Sequence, residues 1–234
     1  ANTFTRSDGM IFLTQHASNE LLRKYPRMGN IRQSVIPHGI DPAFSFQRAR
    51  EEKHADPVRL LYVSTVDLYK HQWNVVSSVS NLRKEGFNIQ LTLVGSAYRP
   101  ALDKLKVTIQ KVDPTLTFIK YEGAIDYVDL PSYYQHADLF IFASSCETFG
   151  ISLLEAMASR LPIACSLRPP MPEILGDAGI YFDPEDITCI TNALRKLLIS
   201  SELRKVNANK AKERSKQYSW EQCANDTFQL LRKC

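Results

Sequence analysis

The chain has 234 residues, of which 44% are apolar and 10% aromatic. That is enough to bury a full core, and it excludes disordered and collagen-like classes. The net charge of +4 is spread unevenly, at +4 over residues 1–50, −4 over 51–200 and +4 over 201–234. The acidic centre, without a basic and aromatic array, excludes nucleic acid as the ligand.

In chain order, the polar start Ala1–Gly9 carries Arg6 and Asp8 and has no leader-like apolar segment. No run reaches the ~18 uncharged apolar residues that would cross a bilayer, so the expectation is a soluble protein. Strands are expected at 10–14, 34–37, 59–64, 89–94, 115–120, 138–143, 161–165 and 179–182. Helices are expected near 16–24, 71–85, 99–112, 129–136, 150–160 and 186–199. Short β-branched runs alternating with helical periods are the mark of βαβ units, hence a doubly wound, Rossmann-like parallel α/β sheet. The almost wholly apolar run at 138–143 is expected mid-sheet, buried on both faces.

The polar segment 47–57 reads as a linker or surface excursion. After Phe182 the pattern is helical, and residues 219–234 read as a separate amphipathic helix with Ser219 as N-cap and Trp220 as anchor. The expected organisation is 1–46, a remnant of a preceding domain plus an interdomain segment; 47–218, the main domain; and 219–234, the closing helix. The five cysteines show no paired C-x-x-C spacing, so reduced thiols in a cytoplasmic protein are the simpler account.

The sequence Glu147-Thr-Phe-Gly-Ile-Ser-Leu-Leu-Glu155 follows the apolar run as loop and helix start. In an open parallel sheet that turn lies at the carboxyl edge, where ligands bind. The free N–H groups of a helix's first turn, backed by its dipole, suit a diphosphate. Both carboxylates are able to accept hydrogen bonds from sugar hydroxyls, and Gly150 would let a ligand approach the backbone. The alternative is that Glu147 is a charge partner for the helix start and Glu155 a solvated residue. Both readings are open on the pattern alone.

The block Glu147-x7-Glu155, with Phe149-Gly150 and Leu154-Glu155-Ala156-Met157-Ala158, resembles the E-x7-E signature of retaining GT-B glycosyltransferases of the group 1, or family 4, type. The resemblance extends to Ile36-Pro37-His38-Gly39-Ile40-Asp41, to 61–70, to Leu93-Val-Gly95, Tyr121-Glu-Gly123, Pro172-Glu173-Ile174 and Tyr218-Ser-Trp220. It covers nearly the whole chain and implies the C-terminal half of a GT-B fold. By resemblance, Glu155 binds the ribose, and Glu147 contacts the transferred sugar. Phe149, Gly150 and Ile151 offer N–H groups to sugar and diphosphate. Lys70 offsets charge on the leaving diphosphate, Ser64 and Thr65 belong to the phosphate loop, and the loop Gly123 to Asp126, including Ile125, frames the base.

The chain departs from the family at Ser64-Thr65, where Gly-Arg is common, and at His71, where glycine is frequent. Arg168 is the candidate to replace the lost charge, against its reading as a surface residue. The implied activity is retaining hexosyl transfer from a nucleoside-diphosphate sugar to a glycan or lipid-linked acceptor, as in polysaccharide or lipopolysaccharide synthesis. Neither metal nor further cofactor is implied. The family's N-terminal acceptor domain is represented only by 10–37, so the chain alone is expected to be inactive. Peripheral contact with the inner face of the membrane is a further expectation. The alternatives are a non-catalytic nucleotide-sugar-binding module and a GT-B sugar-nucleotide epimerase.

Overall fold

A computed structural model describes residues 7–46 and 57–233. The linker expected at 47–57 lies outside the described residues save for its last position, as does Cys234.

Six strands form one parallel sheet in the order β5-β4-β3-β6-β7-β8. They are β3 (Val58–Val63), β4 (Ile89–Val94), β5 (Ile119–Gly123), β6 (Leu139–Phe142), β7 (Ile163–Ser166) and β8 (Ile180–Phe182). Counted from β3, this is the doubly wound order 3-2-1-4-5-6. The direction of winding reverses between β3 and β6, opening a crevice at their carboxyl ends. The expected run is the central β6, whose Leu139, Phe140, Ile141 and Phe142 are all buried.

Helices α2 (Gln72–Lys84), α3 (Arg99–Val112) and α7 (Ile187–Ile199) pack side by side on one face. On the other lie α4 (Leu130–His136), α5 (Ile151–Ala158) and α8 (Ser201–Ser215). The short α6 (Met171–Leu175) leads from β7 toward β8. A second, two-stranded parallel sheet pairs β1 (Gly9–Phe12) with β2 (Arg32–Val35) through α1 (Gln15–Lys24). The last helix, α9 (Trp220–Leu231), returns to β1, and its N-cap Ser219 accepts from the Gln222 N–H as expected.

The β1–β2 unit is tied to the main domain by Thr14, whose hydroxyl donates to Thr148 O at 3.3 Å, and by a carboxylate of α6. Glu173 accepts the N–H groups of Gln15 at 2.6 Å and His16 at 2.9 Å, satisfying the first turn of α1. At the return of α9, a β-carbon on Gly39 would collide with the backbone of Ser219 and Trp220, so the side-chain-free position permits the close crossing.

Two expectations are corrected. The strand expected at 115–120 begins at Ile119, because the Asp113 carboxylate captures the N–H groups of Thr117, Phe118 and Ile119 at 2.8–2.9 Å and holds that stretch as a turn. The first two strands lie a residue or two earlier than expected. The helix expected near 186–199 is α7, and the helical pattern that follows continues as α8 after Ser200, whose hydroxyl caps the Leu203 N–H.

Three basic side chains of the C-terminal stretch are engaged within the fold. Lys212 donates to Ala158 O at the end of α5, Arg214 to Ile174 O and Glu173 O at the end of α6, and Arg204 to Leu197 O and Leu198 O at the end of α7. Cations placed on terminal carbonyls complement both the open hydrogen-bond acceptors and the helix dipoles.

Candidate functional site

Two loops leave the sheet at the switch point. The first runs from β3 through Ser64 and Thr65 to a 3-10 turn, Leu68–Lys70, and enters α2 at His71. The second runs from β6 through residues 143–150 into α5. Ser64 is anchored by its N–H on Val94 O, and Gly95 lies so close that a β-carbon there would strike the Ser64 carbonyl. Thr65 is exposed, with its hydroxyl 3.4 Å from that of Ser96.

The loops are joined by charge. The Lys70 ammonium pairs with the Glu147 carboxylate, with only 9% and 14% of their side chains exposed. The ammonium also lies 5.1 Å from the Tyr69 ring centroid and 5.4 Å from that of Phe142. The Tyr62 hydroxyl, rising from β3, donates to Lys70 O at 2.7 Å and fixes the backbone below the pair. Buried charges are tolerated only when paired, and this pair joins the two loops.

Gly150 caps α5 with φ 92°, in the left-handed region that favours glycine. A β-carbon there would meet only ordinary contacts at 3.5 Å, so the backbone turn, more than space, calls for glycine. Ile151 follows, 41% exposed, and Phe149 is buried against His38 and Tyr218. The turn therefore presents the start of α5 outward while Phe149 seats it on His38, in the segment after β2, and on Tyr218, just before α9.

Glu155 is not a solvated residue. It is 3% exposed, and its Oε2 accepts the Tyr134 hydroxyl at 2.8 Å. Burial pushes its carboxyl up to about 7, against the lowering effect of that hydrogen bond and with a smaller raising contribution from Asp41. Tyr134 stacks on Phe140 and meets Phe44 edge-on at 5.3 Å; Phe44 in turn meets Tyr127 at 5.9 Å. Gly123, with φ 73°, and the half-buried Ile125 lead from β5 toward Tyr127.

Lys70, Glu147, Gly150 and Ile151 thus lie on the two loops of the crevice, with Glu155 in the helix behind them. Arg168 does not join Lys70. Its guanidinium is engaged by Asp183 at 3.1 Å and Glu185 at 3.0 Å. Two participants escaped the sequence reading: Tyr134, which reads as an ordinary helix aromatic, and Ser145, whose Oγ lies 2.9 Å from Nε2 of His71. Among the described residues, no three His, Cys, Asp or Glu side chains gather to hold a metal ion, and no helix is long and apolar enough to cross a membrane.

Residues 44–214 match the family described as glycosyl transferases group 1. The chain is 30% identical over 168 residues to the O-antigen chain mannosyltransferase B of Escherichia coli, covering 72% of this chain and 44% of that protein. The structure of Anabaena HepE in complex with UDP and glucose superposes with a TM-score of 0.85 at 16% identity, over 97% of this chain and 64% of that one. The C-terminal domain of a group 1 glycosyl transferase from Francisella tularensis superposes at 0.67 with 24% identity, over 76% of this chain and 97% of that domain. The chain spans about half the length of the curated relatives it matches, for example 44% and 54%. On the family match and the strand order together, this chain belongs to the group 1 glycosyltransferases and has the Rossmann-like fold of the C-terminal half of a GT-B enzyme.

Proposed function

We propose that this domain holds a nucleoside-diphosphate sugar across the carboxyl edge of its sheet. Completed by an N-terminal acceptor domain, it transfers a hexose with retention of configuration to a glycan or lipid-linked acceptor. The observation that carries this reading is the pairing of Lys70 with Glu147 between the two loops that flank the switch point. A cation and a carboxylate held together beside an open helix start are what a diphosphate joined to a polyhydroxy ring would use.

In this reading the donor exchanges the internal pair for two external ones. The diphosphate takes the Lys70 ammonium and the N–H groups of Phe149, Gly150 and Ile151, with Ser64 and Thr65 alongside. The sugar hydroxyls take Glu147, which orients the ring for attack and forms no bond to it. Glu155 receives the ribose, and the loop from Gly123 through Ile125 frames the base. Charge on the departing diphosphate is met by Lys70 and the α5 dipole, so the scheme calls for no divalent cation. Residues 7–46 and 219–233 belong, in this scheme, to the side of the molecule on which the acceptor domain builds. Contact with the cytoplasmic face of a membrane would come from that domain and its acceptor, since Arg204, Lys212 and Arg214 are committed to helix ends.

The test is calorimetric titration of the chain with UDP, GDP and ADP and their sugars, beside Glu155→Ala. Selection of one base, weakened in the variant, supports the donor site; no binding by any of them counts against it. A second reading, nucleotide-sugar binding without transfer, draws on the engagement of Arg168 by Asp183 and Glu185, which leaves Lys70 without a second phosphate cation from that loop. It requires the full-length protein to bind donor yet transfer nothing to any glycan offered.

A further inference from the structure

His71 follows Lys70 and opens α2 with φ 52° and ψ 30°. That left-handed conformation costs a residue with a β-carbon about 1 kcal/mol, a cost glycine avoids. The contribution of residue 71 to the start of α2 comes from its backbone carbonyl, which accepts the Asn74 N–H at 2.9 Å and would do so equally from glycine. The imidazole must therefore be explained by what its ring does. The side chain is buried, Trp73 meets it edge-on at 5.9 Å, and Nε2 lies 2.9 Å from Ser145 Oγ.

Ser145 stands two residues before Glu147, and its N–H donates to Tyr69 O at 2.8 Å. Residues 69–71 and 145–147 are thus cross-tied in series: Tyr69 to Ser145 by backbone, Lys70 to Glu147 by charge, His71 to Ser145 by its ring. The charged groups around the imidazole are Lys104 of α3, Arg168 after β7, and Asp183 and Glu185 after β8. Burial, the largest influence, holds its pKa below the ordinary value, so the ring is neutral at neutral pH, with its Nε2 engaged by Ser145. A strained backbone at a loop junction is retained where the surrounding contacts require the side chain.

We propose that His71 is a positioning residue for the donor sugar: through Ser145 it sets the loop that carries Glu147 in register with Lys70. The inference rests on the donor-site reading above and goes beyond it, because it assigns a role to a position at which family resemblance leads one to expect glycine.

The experiment uses the full chain with His71→Gly, Ser145→Ala and the double variant. It measures affinity by calorimetry for a nucleoside diphosphate and for the matching nucleoside-diphosphate sugar, taken from the UDP-glucose and GDP-mannose pairs. His71→Gly should stay folded, because glycine accepts the left-handed backbone. Each single variant should bind the sugar nucleotide about fivefold more weakly, the value of one hydrogen bond, and the bare diphosphate with less than about a twofold change. The double variant should lose no more than Ser145→Ala alone, because that change already removes the His71 contact together with the donation of the hydroxyl to Tyr69 O at 3.3 Å. Unchanged sugar-nucleotide affinity, losses that add, or an equal loss for diphosphate and sugar nucleotide would each overturn the positioning role while leaving the donor site in place. Absence of binding by the unaltered chain would overturn the donor-site reading and this inference with it.

Discussion

Replacing Glu155 by glutamine should stabilise the domain, and only at neutral to alkaline pH. The carboxyl is carried from an ordinary 4.5 up to about 7 because it is buried. The folded state therefore holds its proton more tightly than the unfolded state does, and stability falls as pH rises from 4.5 towards 7. Once the pH exceeds both values the burden is about 3 kcal/mol, at ~1.4 kcal/mol for each pH unit. Glutamine keeps the shape and still accepts the Tyr134 hydroxyl, but its amide nitrogen needs a partner of its own, so the expected gain at pH 8 is about 1–3 kcal/mol. In a domain of this size that raises Tm by roughly 3–10 °C. Calorimetric melts of both proteins from pH 4 to pH 8 would show the curves together at the acid end and diverging above pH 5. A glutamine variant that melts lower than the parent at pH 8, or with a gap that does not change with pH, would refute the assignment of a buried carboxyl that resists ionisation. The stabilised variant should also bind donor about tenfold more weakly, a stability gain taken against function.

The buried pair gives an opposite signature: Lys70→Met or Glu147→Gln alone should cost about 3 kcal/mol in urea unfolding by stranding a charge, whereas Lys70→Met with Glu147→Leu should recover most of it. Glu173→Gln should weaken the tie to α1 by about 1 kcal/mol, read as faster amide exchange at Gln15 and His16 with the β3 amides unchanged. Gly39→Ala should displace α9, because the added methyl meets the Trp220 backbone; tryptophan fluorescence should shift while the cooperative melt of the six-stranded sheet persists.

The main sheet was legible because its signals are local. A run such as Leu-Phe-Ile-Phe at β6 has little choice but to be central, and alternating helical periods set the winding. The helix α8 has no such signal: its buried face is Asn207, Ala208, Ala211 and Ser215, small or polar residues that show no apolar stripe. The start of β5 was misplaced because Thr115 and Thr117 have the right shape for a strand, while the winning interaction is a carboxylate on backbone N–H groups. At the candidate site, the two glutamates were singled out from motif and spacing, and Lys70 by family resemblance. That Lys70 and Glu147 touch, 77 residues apart, and that Tyr134 holds Glu155 are contacts across the fold that no spacing within either segment encodes.

The most direct measurement is to titrate the isotopically labelled chain with the nucleoside diphosphate that it binds and follow the backbone amides by NMR. Shifts concentrated at Thr65, Lys70, Gly123, Gly150 and Ile151, with Leu105 and Phe118 unmoved, are the expected result for a donor held at the switch point. Shifts centred instead on the cleft of ≈ 690 Å³ between α3 and β5, lined by Leu105, Ile109 and Phe118, would contradict it.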